Sequence, residues 1–469
     1  VSPNQWIWLM KVLRWPKRLI TRSITLMPDF ILKNWFRDQF HTYMLNRNGN
    51  IIPLWDSGRG WAKAIAHDET FKDMISGGGV FDSGFVNASD PEKTNIAIRR
   101  ALLGKGRHGI LDTPKKLKDF YMRIANGAEN AHRIIVFEKA LKAGKTRKEA
   151  LFEARDLMDF SVRGANPVVR FLTETVPFWG ARVQGISRTG KGFTESPALT
   201  LMRSTPIVLA SVALYMVNRD DDRYDKLSEY EKRMYYHFYD VFEIGDHYQL
   251  PHPFEVGAIF TAIPEIITEL MLSNEPDRGQ AAAFSTYWTI SEMLSLWPDV
   301  QAVNPIYELA TNKNRFTQAP ILSEWEKEGL DVRDQYSYRT DRTIKWLADH
   351  MPDSAPDFLK SPKQLEHLAQ GYIGSSLDYA LAASQMLFDA QLNDGASQPT
   401  MRWDETPFAK SFKREEHGKY DKYLNSMYDV LAQANKIHNS VNLNKKRPKS
   451  ESRDARISEL REKNKGLLY

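Results

Sequence analysis

The amino-acid sequence predicts an all-α protein, elongated and multi-lobed, with one small β-hairpin and long connecting loops. Three observations carry this expectation. Apolar residues recur at three- and four-residue spacing over long stretches, helix start and stop signals bracket those stretches, and a single short run alternates as a strand does. A chain of 469 residues also exceeds what one core organises, because domains run to about 100–200 residues.

Residues 1–47 read as a basic, Trp-rich amino-terminal arm with helices. Trp6, Trp8 and Trp15 interleave with Lys11, Arg14, Lys17 and Arg18, and the segment lacks the clean apolar core and cleavage site of a secretory signal. The first residue is Val1 rather than Met, and the chain is expected to be part of something longer. Residues 48–116, rich in Gly, Asn, Asp and Pro, read as a loop region with short helices.

Residues 117–380 form the expected helical core. Leu117 to Leu141 repeats apolar residues at helical spacing and Gly144 supplies the stop. Thr146 with Glu149 spells a capping box, in which hydroxyl and carboxylate satisfy free amides at a helix start. Ala150, Leu151, Ala154, Leu157 and Met158 then share a face. After Pro167 a further face runs through Val168, Phe171, Leu172, Thr175, Trp179, Val183 and Ile186, with a bend expected at Pro177. The run Val241 to Pro251 alternates around Gly245-Asp246, which fits a hairpin closed by a two-residue turn.

Residues 381–469 read as a basic, helical carboxy-terminal tail. Tyr420, Tyr423, Leu424, Met427, Leu431, Ala434 and Ile437 make an apolar stripe, and beyond it comes a polar linker holding Lys445, Lys446 and Arg447. The ends, 1–47 and 410–469, carry +6 and +7 against +5 for the whole chain, leaving the middle at −8. Basic arms of this kind suit DNA, anionic lipid or an acidic protein surface.

Zero cysteines exclude disulfide staples, thiolate zinc sites and a cysteine nucleophile. Gly185 to Gly192 nearly spells the phosphate-cradling loop, but Gly192 stands where the magnesium-binding hydroxyl belongs and no buried strand precedes it. A basic helix end and linker is the plainer reading. His237, His247 and His252 lie near Asp240, Glu243, Asp246 and Glu255, yet their spacings match no standard ligand set, so solvated turn histidines are expected. Glu265 and Glu269 stand one helical turn apart and read as the polar edge of an amphipathic helix rather than an acid–base pair. Neither a catalytic residue nor a cofactor is expected.

Leu201 to Val217 is the most apolar run. It holds Arg203 and Pro206, and falls short of the ~20 apolar residues a bilayer demands. A buried core helix is therefore expected, with Val208, Leu209 and Leu214 as candidate membrane or partner contacts should it be exposed. Trp6, Trp8 and Trp15 are the other such candidates. Lys11, Arg14, Lys17, Arg18, Lys445, Lys446 and Arg447 are the candidate contacts for DNA or an acidic partner.

One stretch, Phe160 to Lys191, combines a basic-glycine turn at Arg163 and Gly164 with Phe178, Trp179, Ala181, Gln184 and Gly185. It resembles the large polyvalent-protein-associated domain of phages and mobile elements. Further segments fit the resemblance in order, including Pro28 to Phe40, Ile75 to Val80, Asn218 to Arg233, Gln249 to Phe260, Asn304 to Phe316 and Ser361 to Gly374. It thus covers roughly residues 28–380.

The resemblance implies a protein packaged inside a phage particle near the portal and injected with the genome. It also implies a conduit-forming role across the host envelope, without catalysis by this chain, and location in the virion interior and later at the host periplasm or inner membrane. Partners implied are other internal virion proteins, the portal and further copies in a ring, with non-specific DNA contact and host membrane contact after ejection. A DNA-binding accessory or packaging domain of a very large injected virion RNA polymerase is the alternative.

Overall fold

The structure, a computed structural model, describes residues 3–79, 113–157, 166–242, 245–272, 302–315, 319–337, 340–392 and 406–414, with positions 283, 284, 286, 287, 291, 300 and 458 in addition. Helices dominate, accompanied by one small antiparallel sheet. The chain divides into two compact units, residues 21–299 with 411–414, and residues 1–20 with 300–410 and 415–469. Helix α1 comprises Pro3–Thr25.

In the first unit, α2 (Pro28–Leu45) opens on Pro28, which loses nothing at the first helical position because that amide has no partner there. Helices α3 (Trp55–Ala66) and α4 (Glu69–Ser76) fall inside the expected loop region, and residues 80–112 lie outside the described residues. Helix α5 (Thr113–Lys142) ends at Gly144, whose φ of +84° closes the turn. The Thr146–Glu149 capping box then starts α6 (Arg147–Asp156), as expected. A core of Ala64, Phe71, Met74, Ile75, Ile134, Phe137, Ala140, Ala150 and Ala154 joins α3 to α6.

The face running on from Pro167 is not one bent helix. Helix α7 (Pro167–Thr175) stops, Val176 is extended, Phe178 takes a left-handed φ of 59°, and α8 (Trp179–Glu195) starts afresh. Pro177 disfavours helical geometry at Val176, so the chain breaks where a bend was expected. Val168, Val183 and Ile186 are consequently exposed rather than aligned on one buried stripe.

Helix α9 (Pro197–Asn218) leads into α10 (Asp222–Asp225), α11 (Glu229–Met234) and strand β1 (Tyr235–Tyr239). Strand β2 (His247–Pro251) pairs with β1 in the register Tyr239↔His247 to Tyr235↔Pro251. The hairpin therefore uses Tyr235–Tyr239 rather than the Val241 run, and its strands end on the Tyr239↔His247 pair rather than closing on a two-residue turn at Gly245-Asp246. Asp240 is fixed next to that pair: its amide donates to Asp246 O at 2.9 Å, and its carboxylate pairs with Arg223. Helix α12 (Phe254–Gly257), a π turn (Ala258–Ala262) and α13 (Ile263–Leu272) form one continuous run. A third strand, β3 (Lys413–Arg414), pairs with β2 beyond the expected hairpin.

The second unit holds α14 (Asn304–Thr311), α15 (Glu324–Gly329), a 3-10 turn (Val332–Asp334), α16 (Arg342–Asp349), α17 (Asp357–Lys360), α18 (Pro362–Ile373), α19 (Ser376–Leu392) and α20 (Pro407–Lys410). Ile344, Leu377 and Leu381 make its core with Leu365, Ala369 and Ile373. Gly371 lets α18 approach α14, since a Cβ there would sit 2.6 Å from Pro305 Cγ. The expected stripe Tyr420 to Ile437 lies outside the described residues.

Candidate functional site

Helix α9 is built inside out. Its buried positions are Thr200, Arg203, Ser204, Ile207, Ser211, Tyr215 and Asn218, recurring every three or four residues and mostly polar. Its exposed positions include Leu201, Met202, Leu209, Met216 and Val217, with Leu209 at 63% and Val217 at 78%. The expected core helix thus exposes the apolar side it was expected to bury. Of the three candidate contacts, only Leu209 is exposed; Val208 and Leu214 are half-buried, and Val208 packs against the cluster of Met44, Ile207, Val256 and Phe260.

Each of the buried polar side chains of this face that anchor it has a partner inside the protein. Arg203, 4% exposed, donates to the backbone carbonyls of Tyr43 at 2.9 Å, Gly49 at 3.1 Å and Asn46, which are acceptors left open at and just beyond the carboxyl end of α2. Thr200 donates to Gly192 O at 2.9 Å, and Asn218 donates to His237 O at 2.7 Å. Ser211 donates to the Glu265 carboxyl group on α13. The exposed Thr205 hydroxyl turns back on its own helix, donating to Leu201 O at 2.9 Å.

Helix α13 is similarly arranged. Glu265 and Ile266 are buried, while Ile267, Leu270, Met271 and Leu272 are exposed. Glu265 is therefore not the polar edge of an amphipathic helix: burial pushes its carboxyl up to about 8, against the favourable hydrogen bond from Ser211. It stays protonated and neutral at pH 7. Glu269 pairs instead with Arg233, a residue buried to 1% exposure.

The three histidines are buried, not solvated. His237 Nε2–H donates to Glu231 O at 3.0 Å, so its Nδ1 carries the lone pair that accepts the His247 Nε2–H at 2.9 Å. His252 Nδ1–H donates to Arg233 O at 2.8 Å. Burial lowers all three, His247 to about 4 and His252 to about 3, which keeps them neutral. Among the described residues no three metal-binding side chains converge.

The near phosphate loop, expected as a basic helix end and linker, lies instead in the interior of α8, where its amides serve the helix ladder and cannot cradle an anion. Neither a strand nor a helix start adjoins it. Its glycines serve close packing: a Cβ at Gly192 would stand 2.8 Å from Leu45 Cδ2, and one at Gly185 would stand 2.6 Å from Glu255 Cδ. Glu255 in turn faces His41 Nε2 at 3.3 Å.

Of the signature residues, Phe178 stacks on Phe30 at 5.8 Å and begins α8, while Trp179, Ala181 and Gln184 are half-buried along its first turns. Arg163 and Gly164 lie outside the described residues, as do Lys445, Lys446 and Arg447. On α1, Trp8, Lys11, Val12, Trp15, Arg18 and Arg22 are exposed at helical spacing, whereas Arg14 and Lys17 are half-buried. The side chain of Trp6 is outside the described set.

Sequence reading missed Arg203 as an anchor and Ser211–Glu265 as a pair. The signal was present as a polar stripe at helical period inside an apolar run, the reverse of the pattern usually sought.

No curated protein and no solved structure matches the chain. A family model does, beginning just after α9, so the Phe160 to Lys191 run and the upstream segments lie before it. The segments Gln249 to Phe260, Asn304 to Phe316 and Ser361 to Gly374 lie within it. Residues 221–409 match the large polyvalent protein associated domain 38, a domain of the kind that the sequence resembles.

Proposed function

We propose that this chain is an internal virion protein of a tailed phage, of the short-tailed kind, stored near the portal and ejected with the genome to help form a conduit across the host envelope. The observation that carries the reading is the match of residues 221–409 to a polyvalent-protein domain. The inside-out surface of α9 supports it, because a conduit component must offer apolar helix faces to neighbours or lipid. The chain acts by assembly, as a ring-like homo-oligomer or with other internal proteins and the portal, and not by turnover.

A helical, disulfide-free chain suits passage through a narrow tail, since helices re-form from local contacts. The test is to image particles before and after ejection with this chain labelled. Label inside the full capsid that is gone from the emptied one is the expected result; label absent from particles overturns the proposal.

A DNA-binding accessory domain of an injected polymerase is the second reading, favoured by the exposed Trp8, Lys11, Trp15, Arg18 and Arg22 on α1, a mixture that also stacks on bases and pairs with phosphates. It predicts strongly salt-dependent DNA affinity that disappears on removing residues 1–47 and 410–469.

A further inference from the structure

The outer face of α9 has a charge pattern that selects its occupant. From Pro197 to Asn218 the helix carries one charged residue, Arg203, and that one is buried. Charges resume immediately at both ends: Lys191, with the Glu195–Arg47 pair, before the helix, and Arg219, Asp220 and Asp222 after it. At 1.5 Å per residue the 22 residues span ~33 Å, close to the ~30 Å hydrocarbon core of a bilayer. By length and composition α9 can cross a membrane, and 33% of its most apolar stretch is buried within the protein.

A buried core helix would hide its Leu, Met and Val and expose its Ser, Thr and Arg. Here the order is reversed, and the inward polar groups are satisfied by carbonyls of Tyr43, Asn46, Gly49 and Gly192 or by Glu265. Hydrocarbon imposes that condition, since an unpaired polar group has no water to turn to. Pro206, exposed in mid-helix, is a further feature that bilayers tolerate more readily than water-soluble helices do. A protein partner would ordinarily find polar and charged side chains rimming such a face along its length; on α9 the charges are confined to its two ends.

We infer that the Leu201–Leu209–Val217 face of α9 is a lipid-docking surface, seated in the hydrocarbon of a phospholipid bilayer with the charged residues on either side at its two polar boundaries. This deepens the ejection reading and rests on it for its setting. The physical evidence for it is separate: a chain that leaves the capsid but ignores vesicles sinks this inference alone, and one that enters vesicles but is absent from particles sinks the other alone.

The absence of cysteine allows a clean test on the full chain. Leu209→Cys and, as a water-exposed control, Phe152→Cys, 70% exposed on α6, would each carry an environment-sensitive fluorophore. Phosphatidylcholine vesicles at high salt, with a quencher on the lipid acyl chain, remove any contribution from the basic ends. Quenching of the Leu209 label but not the Phe152 label is expected. Leu209→Asp should lower vesicle partitioning on the order of a hundredfold, while Leu209→Met leaves it unchanged. Because Leu209 is exposed, helix content and amide exchange should stay as in the parent and confirm that the variant folds. Equal quenching at both positions, or unchanged partitioning of Leu209→Asp, overturns the inference. So does a dimer, seen by sedimentation, that Leu209→Asp dissociates while vesicle binding is nil, because a second copy then covers the face.

Discussion

Replacing Glu265 by Gln should make the unit of residues 21–299 more stable at neutral and alkaline pH, by an amount that grows with pH. The carboxyl is 4% exposed, and burial holds it protonated up to about 8, where an unfolded chain ionises near 4.5. Between those values the folded state binds one proton more than the unfolded state, so stability falls as pH rises. Each pH unit is worth about 1.4 kcal/mol, which gives roughly 3 kcal/mol between pH 5 and 7 and about 4 kcal/mol between pH 5 and 8. Gln keeps the shape and can still accept from Ser211, but does not titrate. The histidines act in the other direction: His237, His247 and His252, held neutral by burial, lose stability as pH falls below about 6.5. Their contribution is the same in both proteins and cancels in the difference. Amide exchange of α9 and α13 peptides at pH 5, 6, 7 and 8, corrected for the intrinsic rate, reads local opening in both proteins. Parallel protection curves across this range would refute the dry, protonated Glu265.

Arg203→Met leaves the carbonyls of Tyr43, Asn46 and Gly49 without their donor and should destabilise the same unit by about 3 kcal/mol or more; Arg203→Lys recovers only part of this in denaturant titration, because an ammonium lacks the guanidinium fork. Gly185→Ala forces the Glu255 carboxylate away from His41 and should cost about 1–3 kcal/mol, read as a lowered melting temperature with unchanged helix content. Thr146→Ala removes one half of the capping box and should weaken α6 by about 1 kcal/mol, visible as faster exchange of the Lys148 and Glu149 amides.

Local chemistry made much of the fold legible. Gly144 and the Thr146–Glu149 box mark a helix end and a helix start through interactions contained in a few residues, so the sequence states them directly. The hairpin was displaced because Gly245-Asp246 mimics a two-residue turn, while the loop is actually set by Arg223 gripping Asp240 from 17 residues away. The helix-end and linker reading of Gly185 to Gly192 failed for a related reason: inside α8 the glycines at 185 and 192 meet Glu255 and Leu45, partners that no local window contains. The polarity of α9 was least legible. Periodicity gives two faces and is silent on which turns inward; that choice is made by the open carbonyls at the end of α2 and by Ser211 meeting Glu265.

The π turn at Ala258–Ala262 absorbs one surplus residue without swivelling the helix beyond it. Relaxed to α geometry at unchanged length, the same five residues would rotate Ile263–Leu272 by about 100° and advance it by about 1.5 Å. Glu265 would then swing off Ser211 toward water, where a carboxyl gives up its proton readily. The one extra residue held in the wide hydrogen-bond pitch therefore sets the angle of the rod beyond it, and that angle keeps the acid silent.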